Sequence, residues 1–368
     1  MARYNFEDLS KKYKNFLVPS YEVLIEDKNI VTEHECFITG LSVDLSCEYK
    51  ASLCQFHIEN ILEAKKQNLK TGLLNDLLKV GNKVSVSLGY GEERQLVFKG
   101  YISTVEVVSE RTYQPYIEIG CFDGTNVLMI AKQSIKYKEA TKYSDAVTKR
   151  LKDYTSLFSG NEVTESHAVS GDIVQQNETD YEFIRGLGKL IGYELFVEKG
   201  KIFFRPIGKD QEELILIKSS ELLLEYYHEV NLTEQYNKVV VKGHHIGKPS
   251  EEILAEALKS KEIGSGSKKP GDITKIINDK NIKEIYFPKA GSKEEAQKIA
   301  DAQLLQLSMN FVKAKLTMTG LPEMLPGYFI SVEADVQTDQ HKFYVTNVIH
   351  DISKERYETR IIAKANRL

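Results

Sequence analysis

The sequence predicts an α+β fold in which strands dominate: two similar, tube-like β-barrel modules, a smaller α+β unit between them, and an insertion with a helix in the second module. Three observations predict it. Leu321 to Ala365 reads as Pro/Gly punctuation and then three β-rich runs separated by polar turns, the spacing of a meander. Val80 to Phe122 follows much the same order: Gly81 answers Gly327, Val84-Ser85-Val86 answers Ile330-Ser331-Val332, Val97 to Ile102 answers Phe343 to Val348, and Ser109-Glu110-Arg111 answers Lys354-Glu355-Arg356 before a last strand. Third, 20 Tyr and 15 Phe without a Trp, with 42% hydrophobic and 28% charged residues, favour a β-rich globular chain over disorder or a coiled coil. At 368 residues the chain exceeds one simple core, so two or more domains are expected.

The first twenty residues read as an arm or short helix ending at Val18-Pro19. Strands follow at Tyr21 to Ile25, Glu35 to Asp44 and Gln55 to Ile58, and alternation through the second places Phe37, Thr39, Leu41, Val43 and Leu45 on one face. A helical pattern broken at Thr71-Gly72 fills Asn60 to Val80, and the meander after it completes a barrel or strongly curved sheet. After Asp123-Gly124 helices take over. Ser144 can cap a segment whose Ala146, Val147, Leu151 and Tyr154 share a face, and Thr179 with Glu182 matches a capping box before Phe183, Ile184, Leu187, Leu190 and Ile191. That helix is expected to stop at Gly192, ahead of a hairpin turning at Lys199-Gly200.

Strands at Ile215 to Lys218 and Tyr236 to Gly243 open the second module. Gly247 to Ile285 is rich in Lys and Glu, contains Gly264-Ser265-Gly266-Ser267, has little periodicity, and reads as an exposed insertion or flexible loop. Another capping box, Ser292 to Glu295, starts a helix with Ala296, Ile299, Ala300, Leu304 and Leu307 along one stripe. The expected domains are residues 1–130 (first barrel), 131–213 (α+β), 214–246 with 308–368 (second, discontinuous barrel) and 247–307 (charged insertion plus helix).

Charge and motifs argue against most chemistry. A net charge near −4 gives no basic excess for sequence-independent nucleic-acid binding. There is no run of eighteen apolar residues and the N-terminus is polar, so a chain without a membrane anchor, made in the cytosol and staying soluble, is expected. Cys36, Cys47, Cys54 and Cys121 form no CxxC pair and read as small core hydrophobes. Gly186, Gly188 and Gly192 miss the dinucleotide spacing and lie in a helical pattern, while Gly243 to Lys248 is one residue short of a P-loop. His244 and His245 are adjacent and face apart. His350-Asp351 resembles a general-base pair, yet strand neighbours also face apart and no nucleophile sits in an elbow. Glu92-Glu93 and Glu294-Glu295 fit a turn and a helix start, and tyrosines along strands fit a core or an interface better than stacking on sugars or bases. No residue is therefore assigned as catalytic, cofactor-binding or metal-binding, and no cofactor is expected.

Three segments in order carry a family resemblance. Asn177 to Leu187, with Gly192 to Val197 and Gly200 to Pro206, resembles the segment of phage late control D proteins and type VI spike proteins in which an acidic cap leads into a Phe-Ile/Leu helix and a hairpin. Glu295-Ala296 and Ala300-Asp301-Ala302 resemble that family's alanine-rich helix. Gly320 to Gly327, followed by Tyr344 to Asp351, is similar to its G-x-P-x-L-x-P-G and Y-x-V-x-x-V-x-H pattern. The resemblance implies the baseplate hub of a contractile tail or injection apparatus such as a phage tail, a tailocin or a secretion device: a homotrimer whose two barrels per chain meet a six-fold tail tube above and a spike below, with wedge proteins around it and a lumen open to DNA or effector. Because Leu368 follows the second module directly, the spike is expected to be a separate chain. Assembly into the baseplate of a phage-like particle is expected, without enzymatic activity. Two rival readings are a tail-associated cell-wall hydrolase, on His350-Asp351, and a receptor- or glycan-binding tail protein, on the tyrosines.

Overall fold

The computed structural model describes residues 2–61, 77–109, 114–245, 248–287, 290–334 and 340–368. The chain opens with α1 (Phe6–Lys12), capped where the Asn5 side chain accepts from the Asp8 amide at 2.8 Å. Then come β1 (Pro19–Ile25), β2 (Lys28–Asn29), α2 (Ile30–His34), β3 (Phe37–Ser46), β4 (Leu53–Glu59), β5 (Lys83–Tyr90), β6 (Glu93–Val108) and β7 (Tyr116–Phe122). A middle unit follows, with β8 (Lys132–Lys136), α3 (Tyr143–Leu151), β9 (Gly160–Val163), β10 (Val174–Thr179), α4 (Asp180–Ile191), β11 (Tyr193–Glu198) and β12 (Lys201–Pro206). The remainder holds β13 (Glu213–Lys218), β14 (Leu223–Val230), β15 (Lys238–His245), β16 (Lys248–Ala257), α5 (Pro270–Ile277), β17 (Ile282–Tyr286), α6 (Lys293–Ser308), β18 (Val312–Thr319), β19 (Phe329–Glu333), β20 (His341–Ile352) and β21 (Tyr357–Ala365). The fold is α+β with strands dominant, as the sequence predicts.

One sheet of thirteen strands joins both ends of the chain, in the order β14-β18-β21-β20-β3-β4-β7-β6-β5-β1-β2, with β19 also on β20 and β13 on β19. Its two halves repeat each other strand by strand. A row across the first runs Val43, Cys54, Cys121, Ile102 through β3, β4, β7 and β6. The matching row across the second runs His228, Ala314, Ala363, Val345 through β14, β18, β21 and β20. In each half the register breaks just after that point, between Ile102 and Thr104 and between Val345 and Asn347, the two-against-one mismatch of a β-bulge. Gly81 and Gly327 both adopt positive φ (+96° and +87°), and each donates its amide at 2.8 Å to the carbonyl of the bulge residue, Ile102 or Val345. Only glycine takes that backbone conformation without strain.

The sequence correspondence needs one adjustment. Val84 faces Gly100 and Ile330 faces Phe343, so the first hairpin is three residues longer and Ile102 matches Val345 instead of Val348. The repeat also departs at its far edge, where β1 runs antiparallel to β5 but β13 runs parallel to β19. Both halves share one apolar core, in which Val43, Phe56, Ile102 and Ile119 meet Leu316, Ile330, Val348 and Ile361.

Three further expectations are corrected. Phe37 is exposed (48%) and Ile38 buried (1%), because a register shift at Gly40, whose φ is +57°, flips the alternation before Leu41, Val43 and Leu45 turn inward. Helix α3 starts two residues earlier than a Ser144 cap would allow: Lys142 is the N-cap, with Asp145 accepting from its amide at 2.9 Å, while Ser144 bonds Ser166. The insertion is not a loop, and the strand at Tyr236 to Gly243 is not part of the large sheet. β16, β15 and β17 form a separate three-stranded sheet against α6. Its inner face is Ile253, Ala255 and Ala257 while Glu252 and Glu256 point outward, so the charged face hides the period of two. Even Gly264 to Ser267 is ordered, since Leu368 and Lys268 exchange backbone hydrogen bonds of 2.9 and 3.0 Å across it.

Other elements fall where the sequence puts them. Thr179 and Glu182 form a full capping box, α4 stops at Gly192 in the left-handed conformation, and Lys199-Gly200 turns the hairpin with both φ positive. Ser292 caps α6, although Glu295 accepts from Gly291 and Ser170 instead of closing the box on Ser292. All four cysteines are buried. The helical pattern expected through Thr71-Gly72 and the turn at Glu110-Arg111 lie outside the described residues.

Candidate functional site

The structure gathers its specific chemistry at the joints between units. The segment Gly320 to Gly327 lies wholly inside the protein. Gly320 meets the Tyr357 ring so closely that a Cβ would stand 2.1 Å from it. Glu323, buried, accepts from Tyr13 (2.7 Å), Lys12 (2.8 Å) and Gln95 (2.8 Å), while the Tyr90 hydroxyl donates to the Gly320 carbonyl at 2.8 Å. One glutamate thus ties the arm after α1 and strand β6 to the far half of the sheet.

Gly327, at the other end of the segment, carries a second joint. Glu194 and Arg205 face each other across the β11–β12 hairpin, and both are buried at 2% exposure. Arg205 spends its guanidinium in three directions: Nε to Glu194 (3.0 Å), Nη1 to Asp210 (2.8 Å) and Nη2 to the Gly327 carbonyl (2.7 Å). Tyr344 on β20 donates to Glu194 at 2.6 Å. Burial lifts the Glu194 carboxyl above its usual range, against the opposing pull of Arg205 and the Tyr344 hydroxyl. The guanidinium also lies 5.0 Å from the Phe196 ring and 5.2 Å from that of Tyr328. The ion pair thus reaches the sheet through the Gly327 carbonyl and the Tyr344 hydroxyl, beside an apolar contact of Phe196 and Phe203 with Phe329 and Tyr344 and a hydrogen bond of 2.9 Å from the Tyr328 hydroxyl to Glu198.

The residues weighed for catalysis are not brought together. His350 is buried, with Nε2 3.2 Å from the Met324 carbonyl and Nδ1 3.1 Å from the Thr359 hydroxyl and 3.0 Å from that of Tyr357. Burial pushes the imidazole down to about 4. Asp351 points the other way and holds Arg360 at 2.9 Å. His244 stands 3.1 Å from the Tyr286 hydroxyl on the small sheet, and Gly188 packs under Phe204. Glu92-Glu93 and Glu294 are exposed. Sequence reasoning passed over Glu323 and the Glu194–Arg205 pair. The latter had a signal, because a hairpin turning at Lys199-Gly200 puts these two charges opposite each other within otherwise apolar strands.

Among the open strand edges of the described residues, two belong to corresponding halves of the large sheet. β5 leaves β6 at Tyr101, so from Thr104 to Val108 the edge facing away from β7 has no partner, and β14 is paired only with β18. Both edges carry exposed apolar side chains: Val107 (46%), Val230 (45%) and Tyr227 (63%). No described helix is long and apolar enough to cross a membrane.

A family model described as the Alg8 N-terminal domain matches residues 49–354. The chain belongs to the Alg8 N-terminal domain family. That description differs from the late control D family that the motifs resemble. No curated protein matches the chain. Among solved structures it is similar to a tail protein from Neisseria meningitidis, at 12% identity and a TM-score of 0.69 over 95% of this chain and 97% of that one. It is also similar to the 43 kDa tail protein of prophage MuSo2 from Shewanella oneidensis, at 14% identity and a TM-score of 0.64 over 93% and 97%. A third is the E. coli c3393 protein, a type VI secretion component with structural similarity to the T4 tail proteins gp27 and gp5, at 12% identity and a TM-score of 0.53 over 94% and 76%. At such identities what is common is the fold, and here it is a fold of phage tail proteins.

Proposed function

We propose that the chain is a structural, non-enzymatic baseplate hub, as the late control D resemblance implies: three copies form a ring that adapts a six-fold tail tube to a central spike, leaving a lumen for DNA or effector. The observation that carries this reading is the internal repeat, which extends to matched positive-φ glycines and matched bulges. Two similar modules in each of three copies give the six similar surfaces that a six-fold tube requires. The domains of this reading are 1–130 and the discontinuous 214–246 with 308–368 as tube-facing modules, with the β15 strand reassigned to the 247–307 layer, and 131–213 as a peripheral unit held by Arg205. Tube, spike and wedge proteins are the partners, and a phage-like particle assembled in a bacterium is the setting. The neutral, enclosed surroundings of His350 support a packing role for that residue over hydrolysis.

Mass measurement in solution, for the chain alone and mixed with tube and spike proteins, tests the reading. A trimer alone or in the mixture is expected. A chain that stays monomeric and binds neither protein would overturn it.

A further inference from the structure

Resting on the hub reading, the geometry points to the contact that closes the ring: the open edge of β6 in one copy pairs antiparallel with β14 of the next. The repeat serves as its own template. Within one chain, β19 leaves β20 at Tyr344, and the edge beyond it is taken over by β3 from Asn347 to Ile352. β3 belongs to the other half of the sheet. β6 is the counterpart of β20, and β14 is the counterpart of β3. Among the described residues the first half therefore lacks the contact that the second half makes, and the strand that would make it is β14, a terminal strand of the same sheet with only β18 beside it. Within one chain the described residues leave these two edges apart; a second copy can join them, and because the contact is head-to-tail it repeats until a ring closes.

The template also fixes the register. Val348 faces Leu45 and His350 faces Val43. Carried through the rows Val43–Cys54–Cys121–Ile102 and His228–Ala314–Ala363–Val345, these become Val105 opposite Val230 and Val107 opposite His228. Side chains then sort correctly by face. In the template Val348, His350, Val43 and Leu45 are buried inward, and their counterparts include Val107 and Val230, apolar and nearly half exposed in the single chain. On the outward face Glu106 falls opposite Glu229, with Glu118 beside the first and Lys313 beside the second. Three carboxylates against one lysine weaken the pairing, which gives it a signature that depends on register.

The test uses the full chain in the assembly where it trimerises, alone or with tube and spike. Val105→Cys with Val230→Cys places two thiols directly opposite, about 4.5–5.5 Å apart at Cβ, and the four native cysteines are buried. Mild oxidation is expected to give reducible bands at two and three chain masses. The control Glu106→Cys with Val230→Cys, whose thiols face opposite sides, is expected to stay monomeric on the same gel. Independently, Glu106→Lys is expected to tighten each contact by up to about fivefold, since an exposed cross-strand charge pair is worth up to ~1 kcal/mol. A trimer by mass that does not crosslink through 105 and 230, or crosslinks equally through the control, overturns this pairing and leaves the hub reading standing. A chain that neither trimerises nor binds tube or spike overturns both.

Discussion

Replacing Arg205 by methionine should loosen the joint between the β11–β12 hairpin and the sheet without unfolding the rest. The side chain is buried and serves Glu194, Asp210 and the Gly327 carbonyl at once. Removing one member of a buried ion pair costs about 3–5 kcal/mol, because the other charge remains in a low-dielectric interior. The Gly327 carbonyl loses its donor as well, while the Tyr344 hydroxyl still donates to Glu194 and offsets part of the cost there. Asp210 is half exposed and returns to water at little cost. About 4 kcal/mol is the expected loss, or roughly a thousandfold rise in opening at ~1.4 kcal/mol per decade. Hydrogen exchange with mass spectrometry reads it locally. Peptides covering β11, β12 and the Gly327 turn should lose protection, whereas those of β4 and β7 should not. Glu194→Gln placed on top of Arg205→Met should recover about half of the loss, because the uncompensated charge is gone. Less than a tenfold change at β11 and β12, or equal losses throughout, would refute the claim that this pair holds the joint. Arg205→Lys should resemble methionine more than arginine, since one ammonium cannot point along three directions.

Acid stability should carry the signature of His350. Its folded pKa of about 4 lies below the ordinary 6.5, so between those values the unfolded chain binds the extra proton. Stability therefore rises with pH across this window and is lost as pH falls through it, by about 3 kcal/mol in all. The urea midpoint of the native protein should fall more steeply from pH 6.5 to 4 than that of His350→Gln, and parallel slopes would refute the assignment. Gly320→Ala should destabilise by several kcal/mol in a thermal melt, as the added Cβ would overlap the buried Tyr357 ring. Glu323→Ala should free the arm, visible as faster tryptic cleavage after Lys12 and Lys14, with the change absent in Glu92→Ala. Ile38→Ala should cost about 2–5 kcal/mol while Phe37→Ala stays within about 1 kcal/mol, the reverse of what unbroken alternation in β3 implies.

How far the sequence could be read depended on whether a signal was local. Glycines at 81, 192, 200 and 327 announce positive φ, and the Thr179–Glu182 box announces a helix start, because a turn or a cap is decided within a few residues. The strand order of each meander followed from those turns. Three things resisted. The bulge at Gly40 is invisible to a strict period of two, and the three extra residues in the β5–β6 hairpin shifted the repeat alignment without disturbing its order. Strand β16 was concealed because its buried face is one isoleucine and two alanines, weak marks beside the glutamates between them, although Val239 and Val241 of β15 complete the same face. The joints were hardest, since Glu323 meets Tyr13 across 310 residues of chain and Glu194 meets Tyr344 across 150. Periodicity shows which face is buried and leaves open against what. Here the internal repeat supplies part of that missing information. Where one half of a repeat makes a contact and the same strands of the other half have a free edge among the described residues, the contact already present supplies the register of the proposed one.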